Sequence, residues 1–123
     1  MMGMTMTDEA GRMAVEALEN LKAQDIVTID VTALSDVMDN LIVATGTSNR
    51  HVKSLAANVV DELKKQGLQP IGIEGMDSSD WVLVDYGTAV VHVMLPQTRQ
   101  FYDLEKLWSP LGRGDNSENP QFI

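Results

Sequence analysis

Two short apolar runs on either side of Tyr86-Gly87 constrain the fold more than any other feature of the sequence. The runs are Trp81–Asp85 and Ala89–Leu95, and valine recurs in both of them. Apolar runs around a short turn that contains glycine are typical of an antiparallel β-hairpin. Because successive side chains in a strand point to opposite sides, this hairpin is expected to have two different faces.

The two faces of the predicted hairpin differ in character. A loop of Tyr86 and Gly87 would place Asp85 opposite Thr88, Leu83 opposite Val90 and Trp81 opposite His92. One face would then be small and apolar, as expected of a core: Val82, Val84, Ala89, Val91 and Val93. The other would be amphipathic and aromatic: Trp81, Leu83, Asp85, Thr88, Val90, His92 and Met94. The second set is typical of a sheet surface that meets another protein; alternatively, helices cover it and Trp81 is part of the core.

The rest of the chain alternates between helical and extended patterns. Apolar residues at three- and four-residue spacing predict one helix from Thr7 to Ala23 and a second from the Gly46-Thr47-Ser48 turn to Gly67. Strands are predicted at Ile26–Asp30, Leu41–Thr45 and Pro70–Glu74, and a last helix at Thr98–Trp108. The unit around the second helix is typical of a crossover between parallel strands. We therefore predict an α/β (α+β-like) fold, a single mixed β-sheet of about five strands with helices packed on it.

The length of 123 residues predicts one folded domain. We expect residues 1–6 to be a flexible N-terminus, residues 7–108 to form the domain, and residues 109–123 to be a disordered tail because of their polar composition. The longest apolar runs are far shorter than the ~20 residues that span a bilayer, so no membrane association is predicted. The chain has no cysteine, which is consistent with a cytoplasmic protein.

The charge balance indicates what kind of partner the chain prefers. It has 18 acidic residues against 9 lysines and arginines, a formal net charge of −9. Binding to a phosphate backbone depends on lysine and arginine, so direct, sequence-specific nucleic-acid binding is not predicted. An acidic domain attracts basic proteins instead. Asp77 and Asp80 are predicted to lie at the rim of the aromatic face, where they would steer such a partner.

Reactive chemistry is sparse along the chain. The two histidines, His51 and His92, do not have metal-binding spacing, so we predict no catalytic residues, no metal and no cofactor. The Gly46–Arg50 turn is the one tempting site, because a helix N-terminus can hold a phosphate. Nucleotidyltransferases have a similar turn, but they also need a pair of carboxylates that bind metal ions. Ser48 is more simply a helix N-cap, and a small nucleotide-handling enzyme is the competing hypothesis.

Several motifs resemble one protein family. They are IVATGTSNRHVKSLA, the IEG of Ile73–Gly75, DWVLVDYG followed by VVHVM, and RQFYDLEKLW. Their order and spacing resemble those of the ribosomal silencing factors, also called the Iojap-related family, over about residues 8–108. The resemblance implies a degenerate nucleotidyltransferase fold that lacks the active site.

The same resemblance implies a function and a partner. Family members bind the large ribosomal subunit through ribosomal protein L14 (uL14), block joining of the small subunit by their bulk, and lower translation in starvation or stationary phase. Their partner surface maps here to Trp81, Leu83 and the neighbouring hairpin residues Asp85, Val90, His92 and Met94. Asn40 and Met94 depart from the family, which often has an aromatic residue at the first position and phenylalanine at the second. A homodimer of the free protein, with the aromatic face buried between two copies, is a further alternative.

Overall fold

The computed structural model describes residues 5–33 and 38–103. Within these residues three helices and five strands follow one another along the chain. Their order is α1 (Thr5–Asn20), β1 (Gln24–Asp30), β2 (Asn40–Thr45), α2 (Asn49–Lys65), β3 (Gly72–Glu74), β4 (Trp81–Asp85), β5 (Ala89–Met94) and α3 (Pro96–Tyr102).

All five strands belong to one mixed sheet with the order β1-β2-β5-β4-β3. Strands β2 and β5 pair in parallel, whereas the β1–β2, β5–β4 and β4–β3 pairs are antiparallel. It follows that β2 and β3 run in the same direction with β5 and β4 between them. Helix α2 is therefore a crossover between parallel, non-adjacent strands. The predicted mixed sheet of about five strands with helices on it is confirmed.

The main core lies between the sheet and the helices α1 and α2. Helix α2 is amphipathic, and the apolar side chains that repeat along it are buried: Val52, Leu55, Ala56, Val59 and Leu63. They pack with Ala14 and Leu18 of α1 against a fully buried layer on the sheet: Ile42, Ala44, Val82, Val84, Val91 and Val93. Each large aliphatic side chain buried in this way contributes about 1.5–3 kcal/mol relative to an exposed one. Burial therefore determines which sheet face the helices cover.

The hairpin register differs from the predicted one. Trp81 pairs with Met94, Leu83 with His92 and Asp85 with Val90, so each partner is displaced by two residues. The predicted loop was wrong, because Tyr86 still pairs, its N–H donating to the Ala89 carbonyl at 2.9 Å, and Gly87 and Thr88 form the loop. Gly87 has φ 87°, a conformation that glycine tolerates and tyrosine does not, so the glycine comes first in the loop. A shift of two residues keeps every side chain on its face, so the predicted two faces of the paired strands are retained.

Several element boundaries also differ from the predicted ones. Helix α1 begins at Thr5 and ends at Asn20, whereas the predicted helix ran from Thr7 to Ala23. Helix α3 begins at Pro96, because proline suits the first helical position, and it ends at Tyr102. The predicted helix end at Trp108 and the predicted tail lie outside the described residues. Among the described helices, none combines the length and apolarity needed to cross a membrane.

The approach of Gly75 to β4 gives a testable prediction. Gly75 has φ 89°, and a Cβ atom there would lie 2.1 Å from the Trp81 carbonyl oxygen. Gly67 has φ 85° but nothing within 4 Å of its Cβ position. Gly67→Ala should therefore lower the free energy of unfolding by only about 1–2 kcal/mol, the penalty for a positive φ at a residue with a Cβ atom. Gly75→Ala should lower the free energy of unfolding by a further ~1–3 kcal/mol, because the backbone of β4 must move. Urea denaturation of both variants measures the difference, and equal losses would contradict this close approach.

Candidate protein-docking face

The strand side chains singled out in the sequence lie together on one face of the sheet. Trp81, Leu83 and Asp85 come from β4, and their register partners Met94, His92 and Val90 come from β5. Helices α1 and α2 pack on the opposite face. Leu41 and Val43 of β2 lie beside Val90 and His92 and extend the same face. We call this surface the Trp81 face.

A concavity of about 430 Å³ lies on the Trp81 face. The residues that line it are Met38, Leu41, Leu83, Asp85, Gly87, Val90 and His92. Leu83 and Val90 are partly exposed, whereas Leu41 is buried and forms part of the floor. Asp85 accepts a hydrogen bond from the Gly87 N–H at 2.7 Å, which holds its carboxylate at the hairpin end. The concavity therefore combines an apolar floor with a fixed negative charge at its edge.

His92 supports the indole ring of Trp81 from below. The Trp81 Nε1–H donates to His92 Nδ1 at 2.9 Å, and His92 is only 7 % exposed. Since Nδ1 accepts this bond, the neutral imidazole carries its proton on Nε2. Burial lowers the pKa of His92 to about 4, although the negative charge of Asp85 acts in the opposite direction. The histidine is thus a neutral, buried acceptor that fixes an aromatic ring at the surface.

Two aromatic residues of α3 extend the cluster around Trp81. The Tyr102 ring lies 4.7 Å from the Trp81 ring, and Phe101 packs edge-on against Tyr102 at 4.9 Å. Phe101 is 78 % exposed and Tyr102 is 46 % exposed, so both present ring surface to solvent. The predicted site did not include them. Their adjacency in the sequence and their place in the aromatic-rich segment were the available signals, but the contact with Trp81 depends on how α3 packs.

The remaining predicted residues occupy different environments. Asp77 is exposed in the loop before β4. The Asp80 carboxylate accepts from Asn49 Nδ2 at 2.7 Å, so it is held against the first residue of α2. The predicted role of Asp80 as a steering group at the rim of the aromatic face did not include its hydrogen bond to Asn49. Met94 is fully buried in a small cluster with Val31, Leu41 and Val43. Met94 and His92 therefore form the support beneath the Trp81 face, and Leu83, Val90, Asp85 and Trp81 form its accessible part.

At the Gly46–Arg50 turn, side chains accept hydrogen bonds from two backbone N–H groups. Ser48 Oγ accepts from the His51 N–H at 3.1 Å, which confirms the predicted N-cap of α2. His51 Nδ1 accepts from the Thr47 N–H at 2.9 Å, and His51 Nε2 lies 2.8 Å from the Leu21 carbonyl oxygen. The Thr47 and His51 amides are therefore already paired, which removes two of the donors that a phosphate could use at this helix N-terminus. Across the described residues, no three or more His, Cys, Asp or Glu side chains come together in a way that suits a metal ion.

A second concavity, of about 480 Å³, lies by α1 and the end of α2. Arg12 borders it and forms exposed ion pairs with Glu9 and Glu16, at 3.8 Å and 3.3 Å. Exposed pairs of this kind contribute at most about 1 kcal/mol and are screened by salt. Because polar, solvated groups dominate its lining, this concavity is a weaker candidate for docking than the Trp81 face.

The buried state of His92 predicts a pH dependence of stability. Unfolded His92 has an ordinary pKa near 6.5, so between pH 6.5 and about 4 the unfolded chain binds a proton that the folded chain does not. The His92 contribution to the free energy of unfolding is therefore complete above pH 6.5 and decreases by up to about 3 kcal/mol as the pH falls towards 4. His92→Asn keeps an acceptor for Trp81 but does not titrate. Urea denaturation from pH 7 to 4.5 should give a flatter profile for this variant, and parallel profiles would contradict the assignment.

Comparisons with known proteins identify the family of this chain. The family model described as "Ribosomal silencing factor during starvation" matches residues 5–122. The ribosomal silencing factor RsfS of Chromobacterium violaceum is 50% identical over 100 residues, which are 81% of this chain and 82% of that protein. A mouse protein named "Mitochondrial assembly of ribosomal large subunit protein 1" is 39% identical over 79% of this chain and 44% of its own length.

Two solved structures have a similar fold and a similar sequence. A crystal structure of a protein from Chromobacterium violaceum has a TM-score of 0.81 at 50% identity, and the match covers 82% of this chain and 84% of that chain. A crystal structure from Bacillus halodurans has a TM-score of 0.75 at 33% identity, over 82% and 94% of the two chains. With the family model covering nearly the whole sequence, the chain belongs to the ribosomal silencing factor family.

Proposed function

We propose that this protein binds the large ribosomal subunit through ribosomal protein L14 and blocks joining of the small subunit. It would thereby lower translation in the cytoplasm during starvation or stationary phase. The observation that carries the proposal is the Trp81 face, which has an apolar concavity with Asp85 at its edge and an indole ring that is hydrogen-bonded to the buried His92. This surface belongs to a chain with a net charge of −9, which suits a basic protein partner.

The family supports a regulatory role rather than catalysis. Its description refers to ribosome silencing during starvation, and the mouse relative is named for assembly of the mitochondrial large subunit. Steric exclusion requires no reacting groups, only tight placement where the two subunits meet. An interface of about 800 Å² on each partner is sufficient for specific binding, and a few central side chains usually dominate its energy. Leu83 and Val90 are placed to act as such central contacts.

The experiment that tests the proposal is sedimentation of the purified protein with separated ribosomal subunits in a sucrose gradient. We expect the protein to migrate with the large subunit and to reduce the yield of joined ribosomes. If the protein stays at the top of the gradient and joining is unaffected, the proposal is wrong. Two other results would then be informative, namely a homodimer with the Trp81 face buried or nucleotide binding at the Gly46–Arg50 turn.

Substitution of Leu83 tests the place of contact. Leu83→Glu puts a charge into the apolar concavity and should weaken binding to the large subunit by at least about 5-fold, as expected for a central contact. Because Leu83 is only partly buried, the fold should persist. Leu83 is a cleaner probe than Trp81, whose N–H also satisfies the buried His92. Sedimentation and a binding titration with purified large subunits measure the effect.

Ser54→Glu is the matched control for this substitution. Ser54 is exposed on α2, so the variant adds the same charge on the helix side of the protein. By charge alone, both variants should attract a basic partner slightly better, since each makes the acidic chain more negative. Equal affinities of the two variants would place the interface elsewhere.

The acidic character predicts a salt effect on association. Raising ionic strength screens the attraction between the acidic chain and a basic partner before they meet, so the association rate should fall more than the dissociation rate rises. Asp77, exposed in the loop next to β4, is a candidate steering group. Kinetics of binding to large subunits at increasing salt measure both rates, and a salt-independent association rate would exclude electrostatic steering.

A further inference from the structure

Helix α3 owes its position to tertiary contacts rather than to its own sequence. It has seven residues, Pro96–Tyr102, and none of them is buried. An isolated helix needs about 12–15 residues to be even marginally stable in water. Its N-cap residue, Leu95, makes no side-chain capping hydrogen bond. Asp103 caps the C-terminus through its N–H to the Arg99 carbonyl, but no residue of the helix is buried and its N-terminus has no side-chain cap. Contacts with the sheet therefore contribute to where Phe101 and Tyr102 lie.

Arg99 provides the polar attachment of α3 to the sheet. Its Nη1 donates to Thr45 Oγ1 at 2.8 Å and to the Asp25 backbone oxygen at 2.5 Å. Thr45 is the last residue of β2 and is only 4 % exposed. Asp25 lies in β1 where the pairing register shifts, and it has φ 48°. This one guanidinium nitrogen thus joins the helix to the ends of two neighbouring strands. A lysine at this position would keep a charged donor nitrogen, but on a shorter side chain.

The second attachment of α3 is aromatic. Tyr102 follows Arg99 by three residues, so the two side chains lie on the same side of the helix. Tyr102 packs on Trp81 of β4, and Phe101 packs edge-on against Tyr102. Arg99 therefore fixes α3 over β1 and β2 while Tyr102 reaches β4. Loss of Arg99 would remove its side-chain hydrogen bonds between α3 and the ends of β1 and β2, whereas the ring contact with Trp81 would not be removed directly.

We propose that Arg99 is a positioning residue for protein docking: it holds α3 so that Tyr102 and Phe101 extend the Trp81 face. The inference rests on the proposed function, because it concerns the same docking face. For the affinity of an Arg99 variant that has lost the charge, it predicts a change opposite in sign to the change expected from charge alone. Removing a positive charge from an acidic protein should favour a basic partner, whereas releasing α3 should weaken docking.

The free protein allows the structural half of the proposal to be tested. In the full-length chain, Arg99→Met keeps the length of the side chain but removes its donors, and Arg99→Lys keeps the charge. Proton NMR of the wild type should show cross-relaxation between the Tyr102 and Trp81 rings. We expect Arg99→Met to lose this signal and Arg99→Lys to retain part of it, with the urea midpoint of both close to that of the wild type. Full retention of the ring contact in Arg99→Met would overturn the proposal.

Binding to purified large subunits tests the functional half. Arg99→Met should bind about 10-fold more weakly, which is the effect expected when a central contact of an interface is lost. Arg50→Met is the matched control, because Arg50 is exposed on α2 and its loss changes the charge equally. If Arg99 acts through the two rings, Arg99→Met should weaken binding no further in a Phe101→Ala/Tyr102→Ala background, whereas additive losses would overturn the positioning role.

The two proposals fail in different ways. If the wild type does not bind large subunits, the proposed function is wrong and so is a docking role for Arg99, but the NMR measurement still decides whether Arg99 anchors α3. If the wild type binds and Arg99→Met binds equally well or better, the proposed function stands and the positioning role is overturned.

Discussion

The packing of α1 and α2 on the buried valine layer of β4 and β5 is the interaction on which the rest of the structure depends. Val82, Val84, Val91 and Val93 are fully buried there, and they form the surface on which Leu55 and Val59 of α2 rest. Because side chains alternate along a strand, burial of these valines under the helices places the residues between them on the opposite face of the sheet. The Trp81 face is thus a consequence of core formation, and its residues are free to differ from core residues.

Buried side chains lie beneath the accessible part of the Trp81 face. The hydrogen bond from Trp81 to the buried His92 satisfies both groups and fixes the indole ring. Met94 fills the space below without any polar requirement. An interface whose large side chains are already ordered loses less conformational entropy when a partner binds. The preorganisation that we propose for docking rests on strand residues and on a short helix that Arg99 and Tyr102 join to the sheet.

The strand–turn–helix at Gly46 shows why a fold does not specify a function. The sequence resemblance implies a degenerate nucleotidyltransferase fold, and a turn of this kind before a helix can hold a phosphate. Here His51 accepts from the Thr47 N–H and reaches the Leu21 carbonyl, so the turn joins α2 to the end of α1. The same backbone geometry stabilises the fold, while a different surface carries the features expected of a binding site.

Short-range patterns in the sequence determined the helices, the strands and the division of the hairpin into two faces, because periodicity is a property of neighbouring residues. They did not determine the loop, where the positive φ of Gly87 shifted the register by two residues. Tertiary structure alone brought Tyr102 to Trp81, Asn49 to Asp80 and Arg99 to Asp25. These partners are far apart in the chain, so their contacts depend on how whole elements pack, and no local pattern encodes them.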